Sequence, residues 1–232
     1  MRAADPDGAV PIVVVGRGRI GGAVADWLAR GPDYDLLAVL GRGEAVPPAA
    51  AIVVDAAGPA FLRTHGERLL ASHEVWSVGA AALVDPDLAA RMRAAARAGR
   101  GRLRLFTPWI AGPALCPAGI AGRLFVRQSA PGLAAAPGRL FDGPLAEAAR
   151  LFPDHLNTAT AAALAGPGIA ATHVRLTCSQ PGRPHVISSR FEMPGSTVST
   201  RIRLDVAPGA LHPVAAALVA ALQARAARVG YG

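Results

Sequence analysis

The segment at positions 13–21, which reads VVVGRGRIG, limits more than any other feature what this chain can fold into. An apolar run breaks into Gly16, Gly18 and Gly21 with the spacing G-x-G-x-x-G, and a helix-like segment follows them. In a parallel α/β sheet, such glycines allow a tight turn, let the backbone approach a pyrophosphate and let the helix pack closely on its strand. The helix start then offers free N–H groups to the phosphates. The pattern predicts a dinucleotide site, and the alternative is an ordinary glycine-rich turn.

Strand-like and helix-like segments alternate over the first half of the chain. The strand-like segments span 12–15, 34–40, 51–55, 75–79 and 102–106, and the helix-like ones span 20–30, 61–70 and 85–100. Alternation of this kind is typical of a doubly wound parallel sheet. We therefore expect an α/β domain of the Rossmann type over residues 1–107.

The character of the sequence changes at Thr107 and Pro108. Proline and glycine crowd into 108–117, and strand-like segments then surround two helix-like ones. The strands are expected at 123–128, 172–178, 186–192 and 197–206, and the helices at 145–152 and 156–164. This grouping indicates a second, α+β domain with a mixed or antiparallel sheet over residues 108–207. A last apolar-periodic helix at 211–228, within the segment 208–232, could cap either domain.

All 24 basic residues of the 232 are arginines, and the formal net charge is +8. A basic chain raises the question of nucleic-acid binding. The arginines are dispersed singly, however, and aromatic residues that could interleave with them form only 5% of the chain. We interpret the charge as a preference for arginine over lysine on solvated faces and do not expect a nucleic-acid partner. The absence of lysine excludes Schiff-base catalysis and a lysine base.

Cys116 and Cys178 are isolated, with no C-x-x-C motif and no histidine at ligand spacing. We expect free thiols in a reducing compartment and no metal site. No apolar run reaches the ~18 residues that a membrane-spanning helix needs. Residues 1–8 carry Asp5 and Asp7 rather than the apolar core of a secretory signal. These features predict a soluble, cytoplasmic protein without a membrane partner.

The end of the second predicted strand, at Gly41 and Arg42, falls where the adenine ribose of a dinucleotide lies in this type of fold. An acidic residue there would bind the 2′-hydroxyl, whereas Arg42 suits a 2′-phosphate, so we expect NADP in preference to NAD. The alternative is that Arg42 points to solvent and either cofactor binds. Small-residue turns after the third and fourth strands complete the expected site. The predicted cofactor-binding residues are Gly16, Gly18, Arg19, Ile20, Gly21, Arg42, Ala57, Gly58, Gly79 and Ala80.

Stretches along nearly the whole chain, in the same order, resemble the L-aspartate dehydrogenase family. They are the glycine segment, VWSVGAAALVD at 75–85, LFPDHLNTAT at 151–160 and HVI at 185–187. The most specific is the Leu-Phe-Pro-x-x-x-Asn stretch. The resemblance implies a divergent member of that family, with a Rossmann domain, an α+β domain used for catalysis and dimerisation, and a C-terminal helix that returns to the first domain.

The resemblance also implies an activity, the interconversion of L-aspartate with iminosuccinate, or with oxaloacetate and ammonia, using NAD or NADP. The family's proposed acid/base histidine lies in an Asn-x-His motif, and the matching residue here is His185. The motif reads Arg183-Pro184-His185, so its asparagine is missing. Histidine titrates near neutral pH and can take a proton from a substrate ammonium. A homodimer and a small amino or imino acid substrate follow from the same resemblance.

The candidate substrate-binding residues are Arg183, Asn157 and Trp109. Arg183 could bind a carboxylate in bidentate fashion, and Asn157 could either bind a ligand or cap a helix that begins at Thr158.

Two of the family's active-site segments are replaced here, by TPWIAGP at 107–113 and by APGALHP at 207–213. Trp109 stands where the family has a small residue, which indicates an altered substrate. The leading hypothesis is an NAD(P)-dependent dehydrogenase of the aspartate dehydrogenase type. The alternative is a catalytically silent cofactor-binding or scaffold protein that kept the fold and lost the substrate site.

Overall fold

The computed structural model describes residues 8–41, 43–106, 121–205 and 210–227. These residues form two compact units. Residues 8–79, 87–106 and 211–227 belong to the first unit, and residues 80–86, 121–205 and 210 belong to the second. Most of the second unit therefore lies in the chain between the last strand and the last helix of the first unit, and its short segment 80–86 lies before the residues 87–106 of the first unit.

The first unit contains a five-stranded parallel sheet with the spatial order β2-β1-β3-β4-β5. Its strands are β1 (Val10–Val15), β2 (Tyr34–Leu40), β3 (Ile52–Asp55), β4 (Glu74–Ser77) and β5 (Arg102–Leu105), and the helices between them are α1 (Arg19–Leu28), α2 (Pro59–Leu70) and α3 (Pro86–Ala98). All four residues of β3 are fully buried, as expected for a central parallel strand that is covered on both faces. The predicted doubly wound sheet is confirmed.

The second unit contains a five-stranded sheet with the order β10-β9-β6-β8-β7. Its strands are β6 (Arg123–Pro131), β7 (Gly138–Pro144), β8 (Thr172–Ser179), β9 (His185–Met193) and β10 (Ser196–Leu204), and its helices are α4 (Leu145–Leu151) and α5 (Asn157–Leu164). Strands β6 and β8 are parallel and the other pairs are antiparallel, so of the two expected kinds of sheet, mixed or antiparallel, this one is mixed. Buried side chains of both helices join Leu124, Val174 and Phe191 of the sheet in one apolar core.

The last helix, α6 (Pro213–Ala226), packs on the first unit. Its sequence left open which domain it would cap, and the family resemblance implied this one. Its buried side chains lie in the same core as those of β1, α1 and β3. Among them are Leu218 and Leu222, both fully buried, and burial of each such side chain contributes about 1.5–3 kcal/mol. The Tyr34 hydroxyl donates a hydrogen bond of 2.8 Å to the Leu222 carbonyl, and Arg225 forms an ion pair of 2.9 Å with Glu74.

Three further findings concern membrane-spanning helices, metal-binding side chains and the two cysteines. No helix in the described ranges is long and apolar enough to cross a membrane. In the same ranges, no group of three or more His, Cys, Asp or Glu side chains could hold a metal ion. Cys178 is a buried free thiol, whereas Cys116 lies outside the described residues.

Candidate cofactor and substrate sites

The glycine segment forms the turn between β1 and α1. Gly16 has a φ of +106°, and a Cβ on it would lie 2.8 Å from the carbonyl carbon of Ala56. A Cβ on Gly21 would collide with the carbonyl oxygen of Gly16. Gly18 differs, because a Cβ built on it meets no atom within 4 Å. Two of the glycines are therefore required by the protein's own packing, and the third faces open space.

The start of α1 fits a phosphate group. Gly18 occupies the N-cap position, no side chain caps the helix, and its first turn contains no acidic residue. The N–H groups of a first helical turn have no partners within the helix, so they are available to an anion. Arg19 is exposed at this end, and Ile20 packs against the core of the first unit. These residues would hold the pyrophosphate of a dinucleotide.

An acidic side chain that the sequence analysis did not single out lies at the end of β2. Both carboxylate oxygens of Glu44 lie 2.9 Å from Nη2 of Arg17, and the same carboxylate accepts a 2.9 Å hydrogen bond from the Gly41 N–H. These hydrogen bonds hold the pKa of Glu44 below its usual value. Arg42, on which the expectation of NADP depends, lies outside the described residues. Glu44 could have been noticed in the sequence, because it is an acidic residue only three positions after Gly41.

A buried carboxylate organises the carboxyl edge of the sheet. Asp55, the last residue of β3, has no exposed surface. Its Oδ1 accepts hydrogen bonds from the N–H groups of Ala57 (2.9 Å) and Gly58 (3.2 Å), and its Oδ2 accepts one from the Ser77 hydroxyl (2.6 Å). Burial raises the pKa of Asp55 to about 6, against the opposing effect of these hydrogen bonds.

The hydrogen bonds around Asp55 and Ser77 determine which groups of the predicted residues Ala57, Gly58 and Gly79 remain free to contact a cofactor. The first two donate their N–H groups to Asp55, and the Gly79 N–H donates to the Ser77 Oγ at 2.9 Å. Their N–H groups are thus engaged within the protein, and what remains for a ligand is their small surface and their carbonyl oxygens. Ala80 is fully buried at the start of a 3₁₀ helix, Ala80–Val84, in the second unit.

Asn157 links this 3₁₀ helix to α5. Its side-chain Oδ1 accepts a 2.9 Å hydrogen bond from the Ala81 N–H. The expectation that Asn157 might cap a helix beginning at Thr158 is wrong, because α5 begins at Asn157 itself, with Leu156 at the N-cap and no side-chain cap. The side-chain oxygen of Asn157 accepts its hydrogen bond from the backbone of Ala81, 76 positions away, and not from its own helix. Its predicted contact with substrate stays a prediction.

His185 is the first residue of β9 and lies partly buried in the second unit. Its Nε2 is buried and has no hydrogen-bond partner among the described residues. Burial lowers the pKa of His185 below 6.5, and the nearby imidazole of His155 lowers it further. His185 is therefore mostly neutral at neutral pH, with a ring nitrogen free to accept a proton. His155, which the sequence analysis passed over, is exposed in the loop before α5.

The remaining substrate candidates are less defined. Arg183 is exposed in the turn before β9, where its N–H donates to the Gln180 carbonyl at 3.2 Å. Within the described ranges its guanidinium forms no ion pair, and it precedes His185 by two positions. Trp109, the whole segment 107–113 and residues 207–209 lie outside the described residues.

Comparison with known proteins places these features in a family. Residues 116–228 match the family described as aspartate dehydrogenase, C-terminal. L-aspartate dehydrogenase 2 of Bordetella pertussis is 33% identical over 189 residues, which cover 73% of this chain and 70% of that protein. L-aspartate dehydrogenase of Pseudomonas aeruginosa is 30% identical over 250 residues, covering 89% and 92%.

Solved structures agree at the level of the fold. The crystal structure of aspartate dehydrogenase from Thermotoga maritima superposes with a TM-score of 0.79 at 17% identity, covering 96% of this chain and 99% of that one. The sequence relatives show the family, and the fold with its two units and returning helix is consistent with them. This chain belongs to the L-aspartate dehydrogenase family of oxidoreductases.

Proposed function

We propose that this protein is a nicotinamide-dependent amino-acid dehydrogenase that interconverts an amino acid and its imino acid, with L-aspartate and iminosuccinate as the first pair to test. The observation that carries the proposal is the buried, unpartnered Nε2 of His185 with its lowered pKa. A base in an oxidation of this kind must be neutral at working pH and free to take a proton. The names of the sequence relatives support the same reaction class.

We assign the binding of the cofactor, the proton transfer and the binding of a substrate carboxylate to different residues. The glycine segment and the start of α1 would bind the dinucleotide, whose nicotinamide, when bound, accepts a hydride from the substrate Cα. His185 would take the proton that the substrate ammonium loses, which frees the nitrogen lone pair. That pair would form the C=N bond of the imine as the Cα–H bond breaks and its electron pair leaves with the hydride. Arg183 is the proposed partner of a substrate carboxylate, since it is the exposed cation that precedes His185.

The choice between the two nicotinamide cofactors depends on the end of β2. We propose NADP as the preferred cofactor, on the basis of Arg42, with NAD as the alternative. Glu44 favours the alternative, because a carboxylate at this strand end accepts hydrogen bonds from ribose hydroxyls and repels a 2′-phosphate. Its ion pair with Arg17 offsets part of that repulsion. We further propose that the protein is cytoplasmic and that it forms a homodimer. Size-exclusion chromatography with light scattering would test the homodimer by its molar mass.

A titration with NADPH and with NADH, monitored by nicotinamide fluorescence, tests the first step. Binding of at least one is expected, and no binding of either at millimolar concentration would refute the proposal. Turnover of oxaloacetate with ammonia then tests the substrate pair. His185→Gln should lower kcat by about 10²–10⁴-fold while cofactor binding persists. His65→Gln, on the partly exposed face of α2, is the matched control and should retain activity.

A further inference from the structure

We propose that Asp55 is a positioning residue for the dinucleotide, which fixes the turns at the carboxyl edge of the first sheet without touching the ligand itself. The inference rests on the proposed dinucleotide function and assigns a role to a buried carboxylate that the reaction does not use. The turns concerned are 56–58, after β3, and 78–79, after β4.

The position of Asp55 is costly for a charged group. It follows three fully buried apolar residues of a central strand, and its own side chain has no exposed surface. Burying a carboxylate requires compensation by hydrogen bonds or by a cation. In the described part of the chain, three hydrogen bonds supply it, and no cation contributes to the electrostatics of this side chain. The buried carboxylate is therefore tied to the backbone and side chain that its hydrogen bonds hold in place.

The hydrogen bonds hold two turns together. Oδ1 accepts hydrogen bonds from the N–H groups of Ala57 and Gly58, and Oδ2 accepts one from the Ser77 hydroxyl, whose oxygen in turn accepts the N–H of Gly79. Asp55 and Ser77 also face each other in register on the paired strands β3 and β4. One carboxylate therefore orients the backbone that follows both strands.

Close contacts extend this control to the phosphate-binding glycines. A Cβ on Gly16 would lie 2.8 Å from the Ala56 carbonyl carbon, and a Cβ on Gly79 would lie 2.7 Å from the Gly58 carbonyl carbon. The 56–58 turn is thus in contact with the glycine segment on one side and with the 78–79 turn on the other. Packing this tight does not tolerate a shift of one segment alone. Releasing the 56–58 turn from Asp55 would disturb all three segments.

Asp55 acts through the backbone and not by direct contact. Both of its oxygens accept hydrogen bonds from the protein itself, so they are not free to bind a ligand. Removing the carboxylate should therefore weaken dinucleotide binding by changing the conformation of the 56–58 and 78–79 turns at the carboxyl edge of the first sheet.

The test is a set of dissociation constants for NADPH and NADH, measured by nicotinamide fluorescence well below the unfolding temperature of each variant. Asp55→Ala and Ser77→Ala should each raise the dissociation constant by about tenfold or more, since each removes bonds that hold a turn. Asp55→Asn should stay within about threefold of wild type, because its amide oxygen can accept the same two N–H groups and its NH₂ can donate to the Ser77 oxygen.

Val53→Ala is the matched control, since Val53 is fully buried in the same strand and its truncation destabilises the core without touching either turn. It should lower stability and leave the dissociation constants unchanged. Equal affinity in wild type, Asp55→Ala and Ser77→Ala would overturn the inference, as would an Asp55→Asn variant as weak as Asp55→Ala. If Asp55→Ala does not fold, Ser77→Ala and Asp55→Asn carry the same comparison. Absence of binding in wild type would instead refute the proposed function, and this inference with it.

Discussion

Arg17 and Glu44 form an ion pair at the end of β2, with the Arg17 Nη2 2.9 Å from both carboxylate oxygens of Glu44. Arg17 also donates to the Val39 carbonyl at 3.3 Å, so the pair bridges the glycine segment and the end of the second strand. In folds of this type the adenine ribose lies at that strand end. If the ribose binds at this strand end, as we propose, the pair presents one positive and one negative side chain to the 2′-position that distinguishes the two nicotinamide cofactors.

Replacing Glu44 by glutamine should shift cofactor preference toward NADPH. The substitution removes a negative charge beside the ribose and leaves the Arg17 guanidinium without its partner, and both effects favour a phosphate. The ratio of the dissociation constants for NADH and NADPH should rise by about three- to tenfold, a modest change because the pair is exposed. Glu67→Gln, which removes an equally exposed carboxylate paired with Arg91, should leave the ratio unchanged. An unchanged ratio in Glu44→Gln would contradict the assignment of this strand end to the ribose.

Gly18→Ala should separate cofactor binding from stability. The added methyl group meets no protein atom within 4 Å, and the φ of −78° suits any residue, so the unfolding temperature should not fall. If the dinucleotide backbone approaches this position, the methyl group should weaken binding by about tenfold or more, or ~1.4 kcal/mol. Gly22→Ala is the control within the same helix, because its methyl group also meets no atom. It should stabilise the protein by about 0.5–1 kcal/mol and preserve affinity.

The pKa of His185 should rise when His155 is removed. Burial, followed by the charge of His155, lowers the pKa of His185 below 6.5. His155→Gln removes the second cause, so the pKa should move upward while remaining below 6.5, since burial persists. NMR titration of the His185 ring would measure this directly, and the acidic limb of the kcat/KM profile should move to higher pH in parallel. A downward shift, or an unchanged ring titration with an altered profile, would contradict the assignment of the base.

Asp55 should make the protein more stable as the pH falls from 7 to 4. Burial raises its pKa to about 6 from 3.8, so the folded chain holds this proton more tightly than the unfolded chain does. The contribution to the free energy of unfolding is therefore present at low pH and is lost as the pH rises through about 6. Asp55→Asn removes it. In urea unfolding at both pH values, the stability difference between wild type and Asp55→Asn should change by ~2–3 kcal/mol in this direction. A constant difference would show that Asp55 does not titrate in this range.

Elements whose signal is local could be predicted from the sequence. The apolar run, the glycines and the following helix of the segment 12–30 each constrain their own backbone, and β1 and α1 appear where they were expected. Strand β7 was not predicted, because Gly138, Gly143 and Pro144 disfavour a strand and its formation depends on pairing with β8. It lies at the edge of its sheet, where proline is tolerated.

In the candidate site, too, only the parts with a local sequence signal could be predicted. The glycine spacing predicted the turn between β1 and α1 that we propose for phosphate binding, whereas Asp55 is recognisable in the sequence only as the end of a strand. Its partner Ser77 lies 22 positions away, and only strand pairing brings the two together. Asn157 likewise has its partner in a distant segment and not in its own helix. Side chains that hold one segment to another carry no local pattern.

The return of α6 to the first unit has a consequence for how the chain is made. Leu218 and Leu222 complete a core whose other members, such as Ile12 and Val24, lie some two hundred positions earlier in the chain. During synthesis, those early strands leave the ribosome long before the helix that covers them. A ribosome that stalls before position 213 would release an unfinished first unit with its apolar surface open to water. The core of the first unit is thus completed only after the second unit has been translated.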